Sequence, residues 1–262
     1  MRTSLLIGAS IALSTYLAGC IAMPETIFRA DPVSNNTVWY SGEEFQTGSK
    51  DSISVSVAFE NELGRTMTFY MVVGNQGPDT VLVAPENIYF YGTYERGMVD
   101  RYDMVHGAYV FDTVRYTDTT YAINPERQLA GIDQQAAQAN ATYSTNNNLN
   151  AAAALLQLVG DVATIGKDKT EAQQKQEDQN RQSLENSEAD NQITYSSTID
   201  RLNKERDYWQ NATLRKTTLF PNTAIGGKIC FPVDPNLQAF KLIVPIDSTL
   251  IKFDFKQKPV GN

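Results

Sequence analysis

The periodicity of this chain changes twice, and the two changes bound what it can fold into. Ile53, Val55, Val57 and Phe59 alternate with Ser54, Ser56 and Ala58, and Met67, Phe69, Met71 and Val73 alternate again. A period of two sets one face of a strand against a core and the other in water. At Asn124-Pro125-Glu126 the pattern switches. Asn is a favoured cap, Pro fits the first helical position, and Glu suits the positive end of a helix. Leu129, Ile132, Ala136, Ala139 and Tyr143 then recur at intervals of three and four, the spacing of one helix face. After Lys216 the alternation returns in Phe240, Leu242 and Val244 and in Ile251, Phe253 and Phe255. The expected fold class is therefore α+β. An antiparallel β domain in two stretches, 38–124 and 216–262, is interrupted by a helical insertion at 125–215.

Turn-forming clusters at Asn61-Glu62-Leu63-Gly64, Gly74–Asp79, Ala84–Asn87, Pro221-Asn222 and Asp234-Pro235-Asn236 keep the strands short. Many short strands joined by frequent turns favour a sandwich or barrel over parallel β-α-β units. Val38-Trp39-Tyr40 reads as a short first strand, with Trp39 expected to plug the core at the domain edge. Ile88–Tyr91, Ala108–Phe111 and Thr113–Tyr116 are further strand candidates. This segment is rich in tyrosine, and Tyr89, Tyr91, Tyr94, Tyr102 and Tyr109 are candidates for an aromatic ligand-binding face, since Tyr offers flat apolar area and a hydroxyl. Strand propensity alone accounts for the same positions.

The insertion reads as a long helical hairpin of coiled-coil type. The first arm's stripe is expected to resume through Leu149, Ala153, Leu156 and Val159, with Asn146-Asn147-Asn148 as a break, because Asn competes for backbone hydrogen bonds. Gly160 and Gly166 bracket the turn. Each arm of about 40 residues reaches about 60 Å at 1.5 Å per residue. The second arm has little to bury near 175–190, and composition leaves 165–192 open between helix and disorder. Ile193–Leu214 should be its firmest part. The mixed charge signs suit a solvated face and not a membrane-lying helix.

The N-terminus carries the most specific motif. Arg2, an apolar run from Leu5 to Leu17 and the small pair Ala18-Gly19 have the layout of a secretory signal. The run is too short to span a bilayer, which takes about 20 residues. Leu17-Ala18-Gly19-Cys20 resembles the lipobox of bacterial lipoproteins. The resemblance implies that residues 1–19 are removed and that Cys20 carries a diacylglyceryl group on its thiol and an acyl chain, such as palmitate, on its amine. Two or more chains anchor stably where one binds only marginally. It implies a lipid bilayer as one partner, and Ile21 in place of Asp after the cysteine implies the outer membrane. Residues 20–37 are then a tether, since Pro24, Asp31-Pro32 and Ser34-Asn35-Asn36 show no period.

Composition narrows the chemistry. A net charge of −8 over 262 residues argues against nucleic acid and against electrostatic docking on anionic lipid. Only two cysteines are present. With Cys20 acylated, Cys230 has no partner, and in Lys228-Ile229-Cys230-Phe231 it reads as a buried structural thiol. The single histidine, His106, could join Asp100 and Asp103 in a metal site or serve an envelope hydrolase, but one short segment is underligated. No Gly-x-Ser-x-Gly elbow, P-loop, dinucleotide fingerprint or paired zinc spacing appears. Glu43-Glu44 reads as an exposed loop pair. No catalytic residue, metal or cofactor is expected.

The two β halves resemble the immunoglobulin-like sandwiches of secreted and lipoprotein sequences. The resemblance rests on Ser54-Val55-Ser56-Val57 before Val72-Val73-Gly74-Asn75, and on Pro221, Gly226-Gly227 and Phe231-Pro232 before two closing strands. It implies a rigid body and no activity. The expected function is that of a cell-envelope lipoprotein, periplasmic or surface-facing, that contacts other envelope proteins through residues 125–215. The alternative is a glycan- or small-ligand-binding lipoprotein using the tyrosines of 89–121.

Overall fold

The structure is a computed structural model and describes residues 27–34, 36–63, 66–105, 108–163 and 170–260. Residues 1–19, expected to be a signal sequence, lie outside the described residues, as do Cys20 and His106.

Twelve strands are present among the described residues: β1 Phe28–Pro32, β2 Thr37–Tyr40, β3 Glu43–Lys50, β4 Ile53–Leu63, β5 Thr66–Asn75, β6 Val81–Val83, β7 Tyr89–Asp103, β8 Ala108–Tyr121, β9 Thr217–Leu219, β10 Thr223–Pro232, β11 Leu237–Ile246 and β12 Thr249–Pro259. Two long helices, α1 Pro125–Ala163 and α2 Glu171–Asp207, lie between β8 and β9. The fold is α+β with antiparallel sheets. One sheet runs β1-β12-β11-β7-β8, another β10-β5-β4-β3-β2, and β6 pairs with β9.

The alternation read from the sequence sets the core. Val55, Val57, Phe69, Met71 and Val73 of one five-stranded sheet are buried, as are Phe90, Leu242, Val244, Phe253 and Phe255 of the other. Their inner faces meet in a single cluster. Phe69 of β5 sits edge-on to Phe240 and Phe255, with ring centroids 6.0 and 5.2 Å away, a favourable aromatic geometry. Because β10–β12 follow the helices in sequence yet pair with β5, β7 and β1, the two β stretches form one body.

Several expectations need correction. The tether assigned to 20–37 includes β1, which pairs with β12 from Phe28↔Pro259 to Pro32↔Phe255. The region around Glu43-Glu44 is β3, and Glu44 accepts a hydrogen bond from the Thr37 hydroxyl at 2.7 Å. Both were hidden because Pro32 ends β1 and Gly48 lies within β3. Two-residue turns explain the crowding: Ser41-Gly42 and Asp51-Ser52 all have positive φ, the conformation that tight hairpins require. Trp39 does not plug the core. It is 62% exposed on the edge strand β2. Strands β4 and β7 also run further than their turn signals suggested, to Leu63 and Asp103.

Candidate functional site

The helical insertion is the feature the β body does not need for its own closure. Asn124 caps α1 by accepting from the backbone N–H groups of Glu126 and Arg127 at 2.9 and 3.2 Å. Thr170 and Gln173 form a reciprocal capping box at the start of α2. The helices pack on one another and share no extended packing with the sheets. Cross-helix bonds fix an antiparallel register: Arg206 with Asp133, Tyr195 Oη to Asn140 at 2.6 Å, Asn146 to Asn191 at 3.1 Å, and Gln157 to the Glu177 carbonyl at 3.3 Å.

The seam differs from the expected one. Asn146-Asn147-Asn148 does not break α1, which continues to Ala163. Asn191 bridges instead, accepting from Asn146 and donating to Asn147 at 2.9 Å. On α1 the residues turned toward α2 are Leu129, Ile132, Ala136, Ala139, Tyr143, Asn146, Asn150, Ala153 and Gln157, a strict repeat of threes and fours. Leu149, Leu156 and Val159, expected on that stripe, are 64–75% exposed. Near the sheets the seam is apolar, with Ile132 and Leu202 buried and Tyr143 stacked on Tyr195 at 4.4 Å. Further out it is largely polar, with Ala153 and the half-buried Leu184 its apolar members, and a shallow groove of about 810 Å³ beside it is lined by Asn, Gln, Ser, Thr and Asp190 with only Leu149 apolar. Residues 171–192, left open by composition, are helical.

The root of the arm is built from charge and shape. Arg215 donates twice to the Glu126 carboxylate, at 2.6 and 2.5 Å, a bidentate pair joining the two ends of the insertion. Its hydrogen bonds hold the Glu126 carboxyl below its ordinary pKa and raise that of Arg215. After α2 a wider π turn, Tyr208–Ala212, redirects the chain. Leu214 is then buried in the core, and its N–H donates to the Lys228 carbonyl at 2.8 Å. Gly227 makes this approach feasible: a Cβ there would stand 2.6 Å from the Leu214 nitrogen. Beneath the turn, Tyr208 Oη lies 3.3 Å from Cys230 Sγ, and Lys228 pairs with Glu60. Burial raises the pKa of both the Tyr208 hydroxyl and the Cys230 thiol. Cys230 is thus the buried thiol that the sequence suggested.

The tyrosines of β7 and β8 do not form one face. Register pairs Tyr89 with Tyr121 and Tyr102 with Tyr109, and Tyr91, Tyr102, Tyr109 and Tyr121 are exposed. Tyr94 points the other way. It is buried, stacked on Tyr116 at 5.1 Å and bonded to Thr120 at 3.1 Å, so it leaves the proposed binding face. Among the described residues no three metal-ligating side chains gather, and no helix is long and apolar enough to cross a membrane.

No protein family, curated protein or solved structure matches this chain.

Proposed function

We propose that this protein is a lipid-anchored component of the bacterial cell envelope whose β body is an immunoglobulin-like sandwich and whose helical hairpin is its contact arm. The hairpin carries the interaction reading. Helices of 39 and 37 residues pack on each other and not on the sheets, and they leave Leu149, Leu155, Leu156 and Val159 in water. A bidentate pair and a buried Leu214 fix the arm to the body, as a projecting contact element requires. The sandwich reading is supported by two five-stranded antiparallel sheets that share one apolar core. Leu17-Ala18-Gly19-Cys20 supports attachment through Cys20, with the outer membrane as the destination.

Two measurements test this. Cys20→Ser should move the protein from the membrane pellet to the soluble fraction, and an unchanged pellet ends the anchoring reading. A variant with 127–213 replaced by a short Gly-Ser turn, which keeps Glu126 and the buried Leu214, should lose the envelope proteins that cross-link to the full chain. An identical cross-linked set removes the arm from the function.

A second reading retains part of the tyrosine face. Tyr89 and Tyr121 pack at 5.5 Å between ring centroids, and the Tyr91 hydroxyl is held by Thr117 at 2.8 Å. These outward rings suit stacking on a sugar. Tyr91→Ala should weaken the binding of any glycan that raises the melting temperature of the parent.

A further inference from the structure

One hairpin outruns the sheet it belongs to. Strands β1, β12, β11 and β7 come level at one end of that sheet, where Phe28 pairs with Pro259, Lys256 with Ala239, and Leu237 with Tyr94. β7 and β8 do not stop there. They continue as a two-stranded ribbon from Tyr94↔Tyr116 to Asp103↔Ala108, with one irregularity between Val99 and Arg101. Beyond Glu95, whose N–H donates to the Asn236 carbonyl at 2.9 Å, β7 has β8 as its only strand neighbour among the described residues. The nine residues from Glu95 to Asp103 extend about 30 Å at 3.3 Å each. A ribbon of two strands is marginally stable in water unless something covers it.

The tip of this ribbon is apolar. Met104 and Val105, which follow Asp103, are 90% and 87% exposed, the highest values among the described large apolar residues. Just behind them Tyr102 and Tyr109 are exposed and pack on each other, with ring centroids 5.1 Å apart. Apolar side chains at a tip with tyrosines behind them match the layering of a lipid–water interface, where Tyr keeps its ring in the apolar layer and its hydroxyl in water. Asp100 and Asp103 stand just before Met104 in the sequence, so entry is shallow and owes nothing to anionic headgroups.

We propose that Met104 and Val105 dip into the bilayer that holds Cys20, so that the β body stands on the ribbon. This rests on Cys20 being acylated and adds a second, non-covalent lipid contact to it. Reach selects the occupant. Ile27 lies at the end of the sheet from which the ribbon leaves, its carbonyl accepting from the Val260 N–H at 2.8 Å. Seven peptide units separate it from Cys20, which at full extension span about 25 Å. The ribbon is longer than this tether and leaves from the same end. A body held by lipid at Cys20 therefore brings the tip to the bilayer before the tether is drawn out. Trp39 is exposed too, but Gly42 at the end of its strand lines one hollow with Ile27 and Val260. That places Trp39 level with the tether's exit, behind the tip.

The test uses the full acylated chain in vesicles of phosphatidylethanolamine and phosphatidylglycerol, with a polarity-sensitive dye on Val105→Cys. Cys230 is buried, which spares it the dye. Emission should shift to the blue, and lipids carrying a nitroxide high on the acyl chain should quench it several-fold more than the same dye on Trp39→Cys. Adding Met104→Asp should bring the two to one level, with the near-ultraviolet dichroism of the fold unchanged. High salt should leave the quenching as it was, since the contact is apolar; quenching abolished by salt overturns the proposal. A dye at 105 that stays in water, in a chain that remains in the membrane pellet, overturns it and leaves the anchor standing. So does a dye shielded from water yet not quenched by lipid, which has protein upon it. Stronger quenching at Trp39→Cys or Leu156→Cys rests the body on β2 or on the arm and overturns it as well. Failure of the anchor reads differently, as a Cys20→Ser chain that stays in the pellet as firmly as the parent. If that binding disappears when Met104→Asp and Val105→Asp are added, the tip contact stands without the anchor.

Discussion

At the scale of single residues, the root of the arm separates electrostatic from steric fastening. Glu126 accepts both Arg215 donors, and those bonds lower its pKa. A carboxylate whose folded pKa is depressed stabilises the fold fully above its unfolded value, about 4.3, and loses that contribution as pH falls through the lower folded value. Both side chains are more than a third exposed, so solvent screening keeps the effect small. Glu126→Gln should cost about 0.5–1 kcal/mol at neutral pH. Its melting curve should converge on the parent's in acid, and a constant offset across the pH range would show that the loss is not ionic. The steric fastening is stronger. A Cβ at position 227 meets the Leu214 backbone, at 2.6 Å from its nitrogen and 2.8 Å from its Cα, and backbone cannot rotate away. Gly227→Ala should destabilise by about 1–3 kcal/mol, the usual cost of overpacking, read as a lowered urea midpoint. At the adjacent Gly226 the nearest atom is the Tyr70 hydroxyl, at the tip of a movable side chain, so Gly226→Ala should cost less.

At the scale of elements, the asparagine layer shows how a polar seam is kept. Asn191 accepts from Asn146 and donates to Asn147. Asn191→Ala leaves both without that partner and should cost about 1 kcal/mol, visible as an earlier helical transition by circular dichroism. Asn146→Leu with Asn191→Leu should shift that transition the opposite way, because polar seam residues are held at a cost in stability. An unchanged transition in the double variant would mean that the layer is solvated and idle. The same layer explains what the sequence could reveal of the arm. Its start was readable from Asn124-Pro125-Glu126, and its first two heptads from Leu129 to Tyr143. Beyond Tyr143 the leucines of α1 leave the seam and only Ala153 stays on it, so tracking leucines led away from Asn146, Asn150 and Gln157. The strands behave alike. Those of 53–59 and 67–73 alternate cleanly because one side faces water. β3 is obscured by Gly48, where a Cβ would stand 2.8 Å from Ile251 Cγ2. In β7 and β8, Tyr and Thr occupy both faces, and no pattern separates Tyr94 from Tyr91.

At the scale of the whole molecule, the β body is closed by its sequence extremes. β1 pairs with β12, and β10 and β11 complete the two large sheets. The arm interrupts this body without entering its core, apart from Leu214. Its ends are joined by Glu126 and Arg215, so a short turn can replace what lies between them. Replacing 127–213 by a short turn, which keeps Glu126, Leu214 and Arg215, should therefore leave a cooperative unfolding transition and an intact near-ultraviolet dichroism signal. Stopping the chain at Arg215 has a different consequence. It removes Ile229, Phe231, Leu242, Phe253 and Phe255, all buried, at about 1.5–3 kcal/mol of burial each. The sum approaches or exceeds the 5–15 kcal/mol by which domains are usually stable. It also strips β1 of its partner β12 and leaves β5 and β7 each paired on one side only. The truncated chain, although it loses fewer residues than the arm deletion, should show no cooperative melt. If instead it melted cooperatively while the arm deletion did not, the long hairpin would be an organiser of the fold and not an appendage on it.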